Sequence, residues 1–165
     1  MTCNFATFLR DSKAHVRLVI GDGRLRIAAA PNRAYDLIVL DAFSSDSVPV
    51  HLLTREAVEL YLKKLRPGGL LAFHISNNYL DLKPVVGGIA RTLGCIAFAQ
   101  DYRPSLEQEH RGAARSTWVI VARNENALGP LKSDPRWTPI QQKAGLPVWT
   151  DQFSNILSVA KWLNS

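Results

Sequence analysis

The chain has 165 residues, of which 47% are hydrophobic and 21% are charged, and its formal net charge at pH 7 is +6. This composition predicts one soluble globular domain, and the apolar runs are shorter than the ~20 residues that a membrane-spanning helix needs. The basic residues are scattered along the chain and are not interleaved with aromatic residues, so the positive charge does not predict nucleic-acid binding.

The cysteines and histidines do not form a recognisable metal site. Cys3 and Cys95 are far apart, and the four histidines lack the spacing of metal ligands. The N-terminus has no basic segment followed by a long apolar core, which is what an export signal requires. We therefore predict free thiols in the cytoplasm, no metal and no membrane segment.

The N-terminal part of the chain predicts a helix followed by a strand. Three apolar residues at helical spacing indicate the last turns of a helix: Phe5, Phe8 and Leu9. Residues 15–20 are apolar and rich in β-branched side chains, which predicts a strand. This strand ends in a tight turn with a carboxylate between two glycines: Gly21, Asp22 and Gly23.

A second predicted strand, residues 35–40, also ends at a carboxylate, Asp41, after a short predicted helix over residues 24–30. The strand is nearly continuously apolar, which is typical of a strand buried on both faces of a parallel sheet. Ligands of open α/β sheets bind beyond the carboxyl ends of the strands, so we expect Asp22 and Asp41 to face the same crevice. A structural role is the alternative for both, because Asp is common in turns for local hydrogen-bonding reasons.

The middle of the chain alternates helices and strands. Thr54 is a candidate N-cap for one helix, and apolar residues at helical spacing predict another over residues 82–93. Strands are predicted over residues 70–75, 95–100 and 116–122. The alternation predicts an α/β fold with a mostly parallel, Rossmann-like sheet. The last two strands lack a helix between them, which predicts one antiparallel strand at or near the sheet edge.

The C-terminal part predicts a surface excursion and a final helix. Residues 124–150 are rich in Pro, Gly and Lys, which is typical of a surface connection. Asp151 is a candidate N-cap for a helix over residues 151–165, whose apolar stripe needs cover from the main body. We therefore predict a single domain over residues 1–165.

Three segments of this chain together resemble the spermidine synthase family, the polyamine aminopropyltransferases, and more narrowly the bacterial spermidine-synthase-like proteins. They are residues 20–24 (IGDGR), residues 35–54 (YDLIVLDAFSSDSVPVHLLT) and residues 65–77 (LRPGGLLAFHISN). The resemblance covers nearly the whole chain, and its most specific part is the DAFSSD segment that starts at Asp41. It implies the fold of class I S-adenosylmethionine-dependent transferases.

The resemblance also implies a role for each candidate residue. It makes Asp22 the acid that binds the adenine of decarboxylated S-adenosylmethionine or methylthioadenosine, and Asp41 the base that deprotonates the attacking polyamine nitrogen. A base is needed because an amine with a pKa near ~10 is protonated at pH 7 and cannot attack carbon. The other implied cofactor-binding residues are Gly21, Gly23, Ala42 and Phe43. The implied substrate-binding residues are Asp46, His74 and Tyr79.

This chain departs from the family pattern at several points. Asp46 lies five residues after Asp41, where polyamine synthases have their second acid about three residues on, and His74 replaces a glutamine that they often carry. The glycine-rich turn and the acid that holds the ribose hydroxyls are absent, so the chain resembles the C-terminal two-thirds of such a domain, truncated at its N-terminus.

Two expectations follow from these departures. Lost cofactor hydrogen bonds, each worth roughly 1–3 kcal/mol, would impair binding, and an exposed sheet edge favours a homodimer or association with another chain. The alternatives to aminopropyl transfer are a methyltransferase that uses intact S-adenosylmethionine and a non-catalytic remnant or interaction module.

Overall fold

The computed structural model describes residues 11–42, 48–141 and 145–163. They form an α/β fold around a five-stranded sheet with the order β1-β2-β4-β3-β5. The strands are β1 (Tyr35–Leu40), β2 (Leu65–His74), β3 (Ile96–Tyr102), β4 (Ser116–Ala122) and β5 (Thr138–Pro139). The helices are α1 (Gly23–Ala29), α2 (Arg55–Lys64), α3 (Lys83–Thr92), α4 (Leu106–His110) and α5 (Glu125–Leu128).

The α/β fold class that the sequence predicts is confirmed, with a sheet that is more mixed than expected. Strands β1 and β2 pair in parallel, whereas β4 is antiparallel to both β2 and β3. Therefore β1, β2 and β3 point the same way, and their carboxyl ends share one edge. Strand β4 is antiparallel as predicted, but it lies inside the sheet because it pairs on both sides. The edge beyond β3 is occupied instead by the short antiparallel strand β5.

The predicted helices in the middle of the chain are confirmed. The Thr54 hydroxyl caps α2 by accepting a hydrogen bond from the Ala57 N–H at 3.2 Å. At the other end of α2, the Lys64 side chain is only 7% exposed, and its ammonium donates to the carbonyls of Ala28 and Ala30 at 2.9 and 2.7 Å. Lys64 therefore satisfies carbonyl groups at the end of α1 and joins α1 to α2.

The two faces of the sheet are covered unequally. The larger core cluster lies between the sheet and helices α2 and α3, and its sheet residues include Ile38, Leu40, Leu71, Phe73, Val119 and Val121. The smaller cluster on the opposite face includes Ala72, Ile120, Ala122 and Leu128. Because side chains alternate along a strand, β2 and β4 contribute to both clusters.

The expectation that β1 is buried on both faces is wrong for this structure. Ile38 and Leu40 are 6% and 7% exposed, but Leu37 and Val39 on the opposite face are 52% and 50% exposed. The smaller core cluster covers this face only from β2 onwards, so the β1 side chains there contact solvent. The apolar edge that the sequence predicts is therefore present, and its association with a second copy or another chain stays a prediction.

The strand predicted over residues 15–20 is not formed. The described residues of this segment are exposed and belong to no strand, and β1 pairs only with β2. A strand is stabilised by a hydrogen-bonded neighbour, and this segment has none in the described part of the chain. The helix predicted from Phe5, Phe8 and Leu9 lies outside the described residues.

The helix predicted over residues 151–165 is also wrong within the described range. This part of the chain contains only the 3-10 turns Leu157–Val159 and Lys161–Leu163. Backbone bonds to the main body replace helical bonds: the Asp81 N–H donates to the Val159 carbonyl at 2.9 Å, and the Lys161 N–H donates to the Tyr79 carbonyl at 2.8 Å. The tail is therefore fixed by these backbone bonds and by the buried Val159 and Ala160, whereas Phe153, Ile156 and Leu157 of the predicted stripe are exposed.

Two smaller findings concern the cysteines and the membrane. Cys95 has a free thiol, as predicted, and burial raises its pKa, whereas Cys3 lies outside the described residues. Over the described ranges, no helix has both the length and the apolar character needed to cross a bilayer.

Candidate active site

The carboxyl ends of β1 and β2 bring Asp41 and His74 together. Leu40 and Phe73 are register partners in this parallel pair, so the next residue of each strand meets at the same edge. The Asp41 Oδ1 atom lies 2.6 Å from the His74 Nδ1 atom. The Asp41 side chain is 62% exposed and that of His74 is 24% exposed, so the carboxylate is open to a ligand while the ring is held.

Ser76 extends this contact into a chain of three side chains. Its Oγ atom lies 2.7 Å from His74 Nε2 and accepts a hydrogen bond from the Thr117 N–H at 2.8 Å. With Asp41 ionised and the imidazole neutral, Nδ1 carries the ring proton and donates to Asp41, and Nε2 accepts the Ser76 hydroxyl proton. We call the resulting Asp41–His74–Ser76 chain the relay.

Trp118 fixes the plane of the imidazole. The β2–β4 register places His74 opposite Trp118, and the two rings stack with centroids 4.7 Å apart and planes 20° apart. A ring held by a stack and by hydrogen bonds on both nitrogens has little freedom to turn. The relay can therefore hold the Asp41 carboxylate in one orientation.

A cavity of about 660 Å³ opens on the Ser76 side of the relay. It is lined by His74, Ser76 and the segments that follow β3 and precede β4. Within it, Asp101 accepts from the Lys83 ammonium at 2.7 Å and from the Thr117 hydroxyl at 2.8 Å. Burial alone would raise the pKa of Asp101, but these hydrogen bonds hold it below its usual value.

Asp22 lies in a different environment from Asp41. It is the N-cap of α1, where Oδ1 accepts from the Leu25 N–H at 2.9 Å, and its Oδ2 atom lies 3.7 Å from His51 Nε2. Since residues 15–20 form no strand, Asp22 does not occupy a strand end equivalent to that of Asp41. No described contact joins the two carboxylates, so the common crevice expected from the sequence is not seen.

Beside Asp22, an ion pair links α1 to the C-terminal tail. Arg24 donates to both carboxylate oxygens of Asp151 at 2.8 and 2.6 Å, and the Thr54 hydroxyl donates to Asp151 at 2.6 Å. Hydrogen bonds from Arg24 and then Thr54 lower the pKa of Asp151 to about 2, and the bond to Asp151 raises the pKa of Arg24. We call Arg24, Thr54 and Asp151 the tail clamp.

The other predicted site residues are dispersed. Gly21 has φ of 137°, a backbone conformation that favours glycine, and Gly23 is the first residue of α1. Ala42 is exposed next to Asp41. Tyr79 is 54% exposed, its N–H donates to the Asn77 side chain, and it does not line the cavity. Phe43 and Asp46 lie outside the described residues.

Sequence reasoning did not assign roles to Ser76 or Trp118. The spacing of His74 and Ser76 was an available signal, because alternate residues of an extended segment point to the same side. The contact with Trp118 was not accessible, since it depends on the register between β2 and a strand more than forty residues away. The same applies to Asp151, which was expected to cap a helix.

Comparisons with known proteins were made for sequence and for fold. No family model matches the chain. The chain is 30% identical over 108 residues to a polyamine aminopropyltransferase of Korarchaeum cryptofilum (strain OPF8), which is 64% of this chain and 33% of that protein. It therefore spans about a third of the length of this curated relative.

The structural comparison supports the fold. The structure of a probable spermidine synthase from Corynebacterium glutamicum ATCC 13032 matches with a TM-score of 0.53 and 14% identity, over 83% of this chain and 55% of that chain. At this identity the likeness shows a shared fold. Together with the sequence match, it confirms the resemblance to the spermidine synthase family.

Proposed function

We propose that this spermidine-synthase-like chain carries the amine-activating half of an aminopropyl transfer, with Asp41 as the general base. The single observation that supports this best is the 2.6 Å contact between Asp41 and His74 at the shared carboxyl edge of β1 and β2. It holds an exposed carboxylate where ligands of such sheets bind. The similarity to a polyamine aminopropyltransferase supports the reaction class.

In the proposed reaction the acceptor binds as an ammonium ion and first loses a proton to Asp41. The neutral nitrogen then attacks the propyl carbon attached to the sulfonium of decarboxylated S-adenosylmethionine. A C–N bond forms and the C–S bond breaks, and its electron pair stays on sulfur to give methylthioadenosine. The contact with His74 Nδ1 holds the Asp41 carboxylate in position to take that proton.

Asp22 is the proposed contact for the adenine of the donor. Its side chain is 44% exposed, and its Oδ2 atom is left for an external donor because His51 is 3.7 Å away, beyond hydrogen-bonding distance. A carboxylate oxygen can accept from an exocyclic amino group, so the chemistry of this residue fits. Gly21 and Gly23 would form the adjoining backbone of that site, whereas Ala42 lies beside Asp41.

The test is release of methylthioadenosine from decarboxylated S-adenosylmethionine with 1,4-diaminobutane as the first acceptor, followed by chromatography. Asp41→Asn should lower the rate by about 10²- to 10⁴-fold, the range typical of a lost general base. Asp36→Asn is the matched control, since Asp36 lies on the same strand but forms only an exposed pair with Arg66.

Equal rates for the Asp41→Asn variant and the unsubstituted chain would contradict the role of Asp41. Absence of product with the unsubstituted chain, from 1,4-diaminobutane and from 4-aminobutyrate alike, would contradict aminopropyl transfer itself. Calorimetric titration of the chain with methylthioadenosine and with S-adenosylmethionine then separates the alternatives. Preference for intact S-adenosylmethionine favours methyl transfer, and no binding of either compound favours an interaction module.

A further inference from the structure

We propose that the cavity beside the relay binds an anionic group, a carboxylate or a phosphate, so that the acceptor is an amine that also carries negative charge. That the acceptor is an amine rests on the proposed function. That the cavity binds an anionic group rests on the charges of the residues that line it. It predicts that a purely cationic polyamine is not the preferred ligand.

The balance of charge in the cavity is positive. Four basic residues line it, Lys83, Arg103, Arg115 and Lys161, against two acidic residues, Asp81 and Asp101, which leaves a net charge of +2 (four minus two) among the lining residues. A cavity lined by one sign of charge concentrates ligands of the opposite sign and repels those of its own. A diamine with two ammonium groups is therefore disfavoured here.

The acidic residues of the cavity are already engaged. Asp101 uses one carboxylate oxygen for Lys83 and the other for the Thr117 hydroxyl. Asp81 accepts from the Lys83 backbone N–H at 3.2 Å. A second ammonium group of a polyamine would have to compete with Lys83 and Thr117 for Asp101, because a carboxylate paired on both oxygens is a poor additional acceptor.

The cations, by contrast, include groups that a ligand can reach. Arg103 and Arg115 follow β3 and precede β4, both are exposed, and they approach the cavity from neighbouring strands. Lys161 is held at the wall by donating to the Asn77 carbonyl at 2.5 Å. Guanidinium groups bind carboxylate and phosphate oxygens in pairs, which suits an anionic group at this end of the cavity.

The relay sets the orientation of the acceptor. His74 and Ser76 line the cavity, and His74 contacts Asp41 through its other nitrogen. An ammonium at the relay end would meet the Ser76 oxygen, with the Asp41 charge beyond His74, and an anionic group at the other end would meet Arg103 and Arg115. A monoamine with a carboxylate or phosphate at its far end fits this arrangement.

The experiment compares 4-aminobutyrate with 1,4-diaminobutane, two probes of equal chain length that differ in one terminal charge. Binding to the full chain is measured by calorimetry at low and high salt. We expect 4-aminobutyrate to bind at least about tenfold more tightly, with the difference reduced at high salt because ions screen exposed charges. In Arg103→Glu/Arg115→Glu its affinity should fall by about tenfold or more.

The charge-matched control is Lys13→Glu/Arg17→Glu, which changes two exposed cations outside the cavity by the same amount. Tighter binding of 1,4-diaminobutane, an affinity for 4-aminobutyrate that survives in Arg103→Glu/Arg115→Glu within twofold, or binding of neither probe would overturn the proposal. If 4-aminobutyrate binds through Arg103 and Arg115 but neither amine receives an aminopropyl group, the proposed function fails and the anionic site stands.

Discussion

The relay and the tail clamp are both built on an aspartate with short hydrogen bonds, yet the chain places them in opposite ways. Asp41 and His74 sit at the ends of two paired strands, so the sheet register alone brings them together. Asp151 and Arg24 are 127 residues apart and meet only because the tail folds back onto α1. The strand-end position leaves the Asp41 carboxylate exposed to a ligand. In the clamp, both oxygens of Asp151 accept hydrogen bonds that join the tail to the rest of the chain.

The largest expected effect tests whether the tail is a structural element. Trp149→Ala removes a fully buried side chain next to the clamp, and its loss should lower the free energy of unfolding by about 3–5 kcal/mol. Urea unfolding followed by circular dichroism measures this. Trp149→Phe should cost less, since it keeps much of the ring and removes an indole N–H that has no hydrogen-bond partner among the described residues.

Trp162→Ala is the control for this pair, because Trp162 is 60% exposed. It should change the unfolding free energy by less than about 1 kcal/mol. Equal losses for the two alanine variants would show that the tail does not pack as described.

The second prediction concerns the rate of aminopropyl transfer, which a substitution in the relay should lower and a substitution in the clamp should not. His74→Phe keeps a flat ring opposite Trp118 but loses both ring nitrogens, and it should lower the aminopropyl-transfer rate by about 10- to 100-fold.

His110→Phe serves as the control, since His110 is exposed at the end of α4. A loss of rate in His110→Phe equal to that in His74→Phe would show that the effect is not specific to the relay. An unchanged rate would remove His74 from the proposed mechanism.

The smallest effect concerns the clamp and depends on pH. Asp151 has its pKa lowered to about 2 in the folded chain, against ~3.9 for an unperturbed aspartate. The ionised form therefore stabilises the fold above pH ~4, and this stabilisation is lost as the pH falls towards 2. Since the side chain is 42% exposed, screening reduces the contribution to about 1 kcal/mol.

Asp151→Asn should accordingly destabilise the chain at pH 7 by about that amount and make little difference near pH 2. Thermal unfolding of both proteins across this range gives the comparison. A gap between the two proteins that stays constant with pH would show that the clamp acts through shape and not through charge.

The sequence predicted the parts of this molecule that depend on local pattern. The bounds of β1 and β4, the Thr54 cap and the strand-end position of Asp41 follow from short-range apolar spacing and capping chemistry. The failures have a common physical cause. Whether residues 15–20 form a strand, whether Leu37 is covered and whether the tail is helical all depend on neighbours in space, which periodicity does not contain.

The residues of the candidate site also fall into two groups: those that the sequence indicates and those that depend on contacts in space. Asp41 is predicted because it follows an apolar strand, and His74 enters through the family resemblance; the register between β1 and β2 joins them. Ser76 required attention to alternate residues beyond the strand, and Trp118 required knowledge of an antiparallel partner. Asp22 was expected beside Asp41 because both were predicted to follow strands of one sheet. This expectation failed because residues 15–20 do not form a strand.

The rate at which an acylating reagent labels Lys64 reports how often this fold opens. Acylating reagents attack a free, deprotonated amine, but the Lys64 ammonium is shielded and donates to the carbonyls of Ala28 and Ala30. The neighbouring Lys63 is exposed and would react at once. The labelling of both lysines can be followed by mass spectrometry in a single peptide, with Lys63 as the internal reference. The ratio of the two labelling rates then measures how often α1 separates from α2.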